Sequence, residues 1–204
     1  QKGFANISVP SVLATLVSDK LDFPNLSMVG VDDRAAAYQA VSYLIQQGHR
    51  KIAVLGGPVT SYPSMMRRQG AQQAMEDAGI RFEDKLYGLS NYDFESAYHA
   101  MNGLLARRAE FTALFAMSDV IAFGAIRALV SAGLRVPEDV SVIGFDGITM
   151  SRYCVPVMTT IVQPSEQIAL QSIELLVRQI EHGTPAQTVT LQPELQQGES
   201  VRAI

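Results

Sequence analysis

The chain has 204 residues, of which 48% are hydrophobic and 18% are charged, and its formal net charge is −4. This composition is typical of a folded domain with a sizeable core, and its acidic balance argues against direct binding to a nucleic-acid backbone. Its apolar runs are too short to span a bilayer, and its one cysteine, Cys154, excludes an internal disulfide and a cysteine-based zinc site, which fits a reducing cytoplasm.

The first fifty residues predict two strands and a helix. Ile7–Leu13 and Ser27–Val31 are short apolar runs of the kind found in strands. The following segment predicts a helix that ends at Gly48, because glycine readily adopts the left-handed conformation that ends helices. Its apolar residues recur at i, i+4, i+7 and i+8: Ala37, Val41, Leu44 and Ile45.

The middle of the chain alternates strands with helices. Four β-rich runs begin 34, 27 and 28 residues apart: Lys51–Leu55, Lys85–Leu89, Thr112–Met117 and Val140–Phe145. The segments between them have helical periodicity, as in Ser64–Ala78. Strand–helix units of about 30 residues predict right-handed crossovers and an α/β fold with a doubly wound parallel sheet.

The last forty residues predict another helix and strand. The helix opens at Pro164-Ser165, ends at Gly183, and is followed by a strand over Gln187–Leu191. Its expected buried stripe comprises Ile168, Leu175, Leu176 and Ile180. The elements at the two ends of the chain are too few for a second complete lobe, so they either pack on the central sheet or belong to a lobe that is only partly present.

Candidate functional residues follow the predicted strands. Because ligands bind at the carboxyl ends of parallel strands, side chains at these positions are expected to meet at one edge of the sheet. A cation, two carboxylates, an amide and an aromatic ring are suited to a small polyhydroxylated ligand, such as a sugar. The candidates are Arg67, Asn91, Tyr92, Asp119 and Asp146.

Each of four candidates also has a purely structural interpretation. Ser118 or Asp119 can cap the next helix, and Asp146 can belong to a simple turn with Gly147. Tyr92 can anchor the helix that follows it, and Arg67 can be a surface residue or a salt-bridge partner. It is the shared location at strand ends that favours a site.

Signatures of enzymes are absent from the sequence. It contains no G-x-S-x-G nucleophile elbow, no phosphate loop and no G-x-G-x-x-G dinucleotide turn. Its histidines have no metal-ligand spacing, and His49 and His182 lie beside helix-ending glycines, where a structural role is expected. We therefore expect no catalysis, no metal and no cofactor.

Several of these segments resemble the LacI/GalR family of bacterial transcription regulators. The most specific match is GLRVPEDVSVIGFDG at Gly133–Gly147. Further matches, in family order, are GHRKIAVLGG at Gly48–Gly57, the R-x-x-G element at Arg67–Gly70, NYDFESAYHAM at Asn91–Met101, ALFAMSDVIAFGAIRAL at Ala113–Leu129, and TTIVQP at Thr159–Pro164.

This resemblance implies a cytoplasmic repressor with a two-lobed effector domain of the periplasmic-binding-protein-like type I. A small effector binds between the lobes, the protein is a homodimer, and a helix-turn-helix head binds operator DNA. Residues 1–48 and 163–184 would then be a partial N-terminal lobe, residues 49–162 and 185–204 a nearly complete C-terminal lobe, and the head would be absent. By motif position Arg67, Tyr92, Asp119 and Asp146 would face the effector, with Asn91 close by, and the helix Val120–Val130 would lie near the dimer interface.

Two departures from the family pattern concern the effector. Asn91 stands where an aspartate is usual, and Ala97 where a glycine is usual, so the effector's identity is not inherited from a relative. A periplasmic sugar-binding protein of a transport system is the alternative interpretation of the same fold. An enzyme with an unrecognised site is a third, since fold alone does not exclude catalysis.

Overall fold

The computed structural model describes residues 8–107 and 110–204. Within these ranges the helices are α1 (Asp33–Gln46), α2 (Tyr62–Asp77), α3 (Phe94–Ala106), α4 (Asp119–Ser131) and α5 (Ser165–His182). The strands are β1 (Ser11–Ala14), β2 (Leu26–Val31), β3 (Ile52–Gly56), β4 (Tyr87–Leu89), β5 (Ala113–Ala116), β6 (Ser141–Asp146), β7 (Thr159–Val162), β8 (Thr188–Leu191) and β9 (Glu194–Gln196). Ile7, where the first predicted strand begins, lies outside the described residues.

The chain divides into two compact units. The first unit consists of the described residues up to Asp32 together with Gln163–Pro193, and the second of Asp33–Val162 with Glu194–Ile204. Among the described residues, no helix has the length and apolar character needed to cross a membrane.

The second unit contains a six-stranded sheet in the order β4-β3-β5-β6-β7-β9. The first five strands are parallel, and only β9 runs antiparallel, beside β7. Every residue of β3 and β5 is buried, as expected for strands covered on both faces by crossover helices. The predicted α/β fold with a doubly wound parallel sheet is therefore confirmed.

The first unit is a three-stranded parallel sheet, in the order β1-β2-β8, with α5 packed on it. Its core consists of Val29, Ile168 and Leu175. The prediction for α5 was wrong at Ile180, which is 64% exposed. The stripe that faces the sheet instead includes Gln179, which accepts a hydrogen bond from Ser27, because α5 is apolar over more than one face and its periodicity does not single out the buried one.

The limits of the two units differ from the expected lobe boundaries at two places. Helix α1 belongs to the second unit because it packs closely against α2, where a side chain at Gly70 would collide with the carbonyl oxygen of Arg34. The predicted final strand does not rejoin the central sheet, since β8 pairs with β2 in the first unit. It is β9, a strand too short for the periodicity to reveal, that returns to the larger sheet.

His49 has the structural role expected of it. It is buried, with Nδ1 2.9 Å from Thr112 Oγ1 and Nε2 3.1 Å from the carbonyl oxygen of Arg202. Burial lowers the pKa of its imidazole below the usual value. The imidazole therefore joins two segments of the second unit, at Thr112 and at Arg202.

Candidate functional site

Three parallel strands of the larger sheet end side by side. Leu55 of β3 pairs with Ala116 of β5, and Phe115 of β5 pairs with Ile143 of β6. The residues that follow these strands therefore reach the same edge, as the strand-end rule predicts.

Arg67 lies in α2 and is nearly buried at this edge. Ser61 caps the start of α2 by accepting a hydrogen bond from the amide of Ser64, which directs the first turns of the helix to the strand ends. Arg67 Nε donates to Asp33 Oδ1 at 2.7 Å, and its Nη1 donates to the carbonyl oxygen of Met117. The interpretation of Arg67 as a salt-bridge partner is therefore confirmed, and its contact with a ligand stays a prediction.

Asp146 meets Arg67 at the same edge. Its Oδ1 lies 3.5 Å from Arg67 Nη1, and its side chain is 28% exposed. The guanidinium of Arg67 also covers the ring of Phe145, with Cζ 3.6 Å from the ring centroid. The structure therefore brings together two of the predicted site residues, with one carboxylate partly open to solvent.

The turn that carries Asp146 is strained. Asp146 has φ +108°, outside the conformations that residues with a side chain normally adopt, and Gly147 follows with φ +71°. A side chain at Gly147 would collide with Val162 of the neighbouring strand. Such strain costs about 1–3 kcal/mol and is concentrated at functional sites, so it favours a functional role over a simple turn.

Asp33 is a member of the site that the sequence analysis missed. It is 4% exposed and forms the ion pair with Arg67 at the start of α1. The sequence carries a signal for Asp33, because this residue follows the end of β2, as the other candidates follow the ends of central strands.

Asp119 is buried in a different environment from Asp146. Its side chain is fully buried, with Oδ1 accepting from the hydroxyl of Thr160 at 2.6 Å and Oδ2 accepting from the amide of Ile148 at 2.9 Å. Burial is the main cause that raises the pKa of its carboxyl to about 6. The helix cap expected of this region is provided by Ser118, whose hydroxyl accepts from the amide of Ile121. This environment favours a supporting role for Asp119 over direct contact with a ligand.

Tyr92 and Asn91 lie in the turn between β4 and α3. Tyr92 has φ +60°, and its ring lies against Gly57, where a side chain would collide with it. Its hydroxyl is buried and has no hydrogen-bond partner among the described residues. Asn91 is exposed, and its backbone N–H donates a hydrogen bond to Ser96 Oγ. Tyr92 thus covers the glycine turn that follows β3.

The structure offers no metal centre in the part of the chain it describes. No three His, Cys, Asp or Glu side chains in residues 8–107 and 110–204 are grouped as metal ligands. The chemistry available at the edge is hydrogen bonding and charge from Arg67 and Asp146, with an aromatic ring from Tyr92 at the neighbouring strand.

Comparisons with known proteins identify relatives of the chain. Residues 41–201 match the family described as a periplasmic binding protein-like domain. The chain is 36% identical over 201 residues to the HTH-type transcriptional regulator MalR of Clostridium butyricum, covering 98% of this chain and 60% of MalR. It is 37% identical over 172 residues to the HTH-type transcriptional repressor CytR of Escherichia coli (strain K12), covering 84% of this chain and 50% of CytR. The chain thus spans 50–60% of the length of these relatives.

Solved structures show the same similarity. A cellobiose complex of the transcriptional regulator CelR matches with a TM-score of 0.84 at 33% identity, covering 89% of this chain and 56% of CelR. A sugar-binding transcriptional regulator of the LacI family from Escherichia coli, in complex with phosphate, matches with a TM-score of 0.80 at 30% identity. That match covers 88% of this chain and 69% of the regulator.

Proposed function

The chain belongs to the LacI family of transcriptional regulators, and from this membership we propose that it is the effector-sensing domain of a bacterial repressor. The observation that carries the proposal is the meeting of Arg67 with Asp146 at the carboxyl edge of the larger sheet. Strain in the turn at Asp146 supports it, because a strained backbone kept beside a partly exposed carboxylate is typical of a binding site.

The ligand class that we propose is a sugar or a sugar derivative. A carboxylate accepts hydrogen bonds from hydroxyl groups, and an arginine donates to them in a fixed geometry. The site would comprise Arg67, Asn91, Tyr92 and Asp146, with Asp119 behind them. Support comes from CelR, which is described as a cellobiose complex, and from the Escherichia coli regulator, which is described as sugar-binding.

The proposed mechanism is allosteric. The effector would bind one of two conformations more tightly, and this difference would change the affinity of the whole protein for operator DNA. Coupling free energies of this kind are typically about 1–3 kcal/mol. DNA binding would belong to a helix-turn-helix region, as in the names of MalR and CytR, since this chain has a net charge of −4.

A homodimer in the cytoplasm is part of the same proposal. Helix α4 is the proposed contact, and Val130, in its last turn, is an apolar side chain exposed at 52%. Sedimentation equilibrium should find a dimer that Val130→Asp weakens. A wild-type protein that remains monomeric at about 100 μM would contradict the dimer.

A periplasmic sugar-binding protein of a transport system remains the second candidate. The same fold and the same polar edge suit it, but the curated relatives above are named as transcriptional regulators. An operator-binding assay on the protein at its natural full length separates the two, because only the regulator has a DNA affinity that responds to sugar. We propose no catalytic activity.

Calorimetric titration of the natural full-length protein with a panel of sugars, including cellobiose, tests the ligand site. Asp146→Ala and Arg67→Ala should each weaken binding of the active sugar by at least roughly tenfold. The matched controls are Asp139→Ala and Arg135→Ala, which break an exposed ion pair near the opposite end of β6. If a sugar binds and the site variants behave like the controls, the assignment of the site is wrong.

A further inference from the structure

A hydrogen bond connects Asp119 to the segment that directly follows Asp146. Asp119 Oδ2 accepts from the amide of Ile148, two residues beyond Asp146, and the amide of Gly147 also stabilises the ionised carboxylate. Its Oδ1 accepts from Thr160 of β7. A side chain at Gly144 would collide with Oδ1, so the strand leaves room for this carboxylate.

We propose that Asp119 is a positioning residue that holds the strained turn Asp146–Gly147 in place and thereby keeps the Asp146 carboxylate beside Arg67. As far as effector affinity is concerned, this inference rests on the proposed function. The sequence predicts that Asp119 faces the ligand, whereas its side chain is fully buried in the structure.

The turn needs such a restraint. A residue with a side chain leaves φ +108° unless its surroundings oppose the change. The carboxyl side of the turn is restrained by Asp119 through the amide of Ile148. A hydrogen bond from an amide to a buried carboxylate is among the stronger ones that proteins form, so this contact is suited to the task.

The charge of Asp119 strengthens the hydrogen bond by which this residue restrains the turn. The groups that face it are the carboxylate of Asp146 from β6, the thiol of Cys154 from the segment before β7, and the hydroxyl of Thr160. Burial, with a further contribution from Asp146, raises the pKa of Asp119 to about 6. As pH falls below this value the carboxyl becomes neutral, and its hydrogen bond to Ile148 loses the contribution of charge.

Amide hydrogen exchange by NMR tests the proposal on the 204-residue chain without any ligand. In Asp119→Ala the amide of Ile148 should lose protection by at least roughly tenfold, and the Nε–Hε signal of Arg67 should shift because Asp146 moves. Asp119→Asn should keep most of the protection, since its amide oxygen still accepts from Ile148. The Asp119→Asn variant should also abolish the pH dependence of Ile148 protection that we expect of the wild type between pH 5 and pH 7.

Ser118→Ala is the matched control. It removes the cap of α4 beside Asp119 but leaves the contacts of the carboxylate intact. If Ser118→Ala changes Ile148 and Arg67 as much as Asp119→Ala does, Asp119 acts through general stability and the proposal is overturned. Unchanged exchange at Ile148 in Asp119→Ala also overturns it, and if that variant does not fold, a persistent pH dependence in Asp119→Asn does so.

A second arm uses cellobiose as the probe with the natural full-length protein. Asp119→Ala, which removes the hydrogen bond to Ile148, should weaken cellobiose binding in the wild-type background and have no further effect in the Asp146→Asn background, because Asp119 acts through Asp146. Equal effects in both backgrounds overturn the positioning role. If cellobiose does not bind the wild type, this result counts against the proposed ligand and not against the role of Asp119. The exchange experiment, which needs no ligand, still decides that role.

Discussion

The guanidinium of Arg67 stacks on the ring of Phe145, with Cζ 3.6 Å from the ring centroid. Phe145 is the neighbour of Asp146 in β6, so this stacking aligns the arginine with the end of the strand. Nε and Nη1 are occupied by Asp33 and by the carbonyl oxygen of Met117. The ion pair and the stacking together hold the guanidinium at this edge of the sheet.

Arg67→Ala should lower the free energy of unfolding by about 3 kcal/mol, because it removes the arginine from a buried ion pair with Asp33. Urea denaturation measures this effect. Arg135→Ala, in the exposed pair with Asp139, should cost less than about 1 kcal/mol. Similar values for the two variants would contradict the idea that Arg67 also holds the edge of the sheet together.

Asp146→Gly should separate stability from binding. Glycine adopts φ +108° without strain, so the free energy of unfolding should stay level or rise by up to about 1 kcal/mol despite the loss of the ion pair with Arg67. Affinity for the active sugar should fall by at least roughly tenfold. Thermal unfolding measures the change in stability, and calorimetric titration measures the change in affinity. A clear loss of stability would contradict the strain inferred at Asp146.

Gly70→Ala should destabilise the second unit by about 1–3 kcal/mol, since its methyl group would collide with the carbonyl oxygen of Arg34 where α1 packs on α2. Gly103→Ala is the control. Gly103 is also in a helix, α3, but nothing lies within 4 Å of its Cβ position. Alanine there should stabilise the chain by about 0.5–1 kcal/mol in urea denaturation. The two substitutions are therefore expected to change the free energy of unfolding in opposite directions.

Asp119 should make stability depend on pH with a defined sign. Its folded pKa of about 6 lies above the ordinary value of 3.8, so the folded state binds more protons between these values. Its contribution to stability is therefore full below about pH 4, declines as pH rises to about 6, and amounts to 2–3 kcal/mol in order of magnitude.

The measurement is the difference between wild type and Asp119→Asn in urea denaturation from pH 4 to pH 7. Taking this difference removes the contribution of Asp139, whose pKa is held well below its usual range by its hydrogen bonds to Arg135, the side chain first and then the backbone. Parallel pH curves for the two proteins would refute the raised pKa.

Local patterns determined most of the elements. Period-3.6 apolar residues identified the five α-helices of residues 8–107 and 110–204 to within a few residues, and Gly48 and Gly183 have the positive φ expected where helices end. The strand-end rule predicted that Arg67 and Asp146 lie at one edge of the sheet, where the structure has them 3.5 Å apart. These inferences succeeded because helix periodicity, termination at glycine and the direction of parallel strands follow from the local backbone and from one general rule of topology.

Only the tertiary structure decided which of the two aspartates at this edge is open. Asp119 and Asp146 each follow or end a buried strand, and nothing local distinguishes them, whereas the hydroxyl of Thr160 and the amide of Ile148 enclose one and leave the other at 28% exposure. The pairing of β8 with β2 and the packing of α1 on α2 were equally beyond the sequence pattern. Burial and strand pairing depend on residues far apart in the chain, so they are settled only when those residues meet.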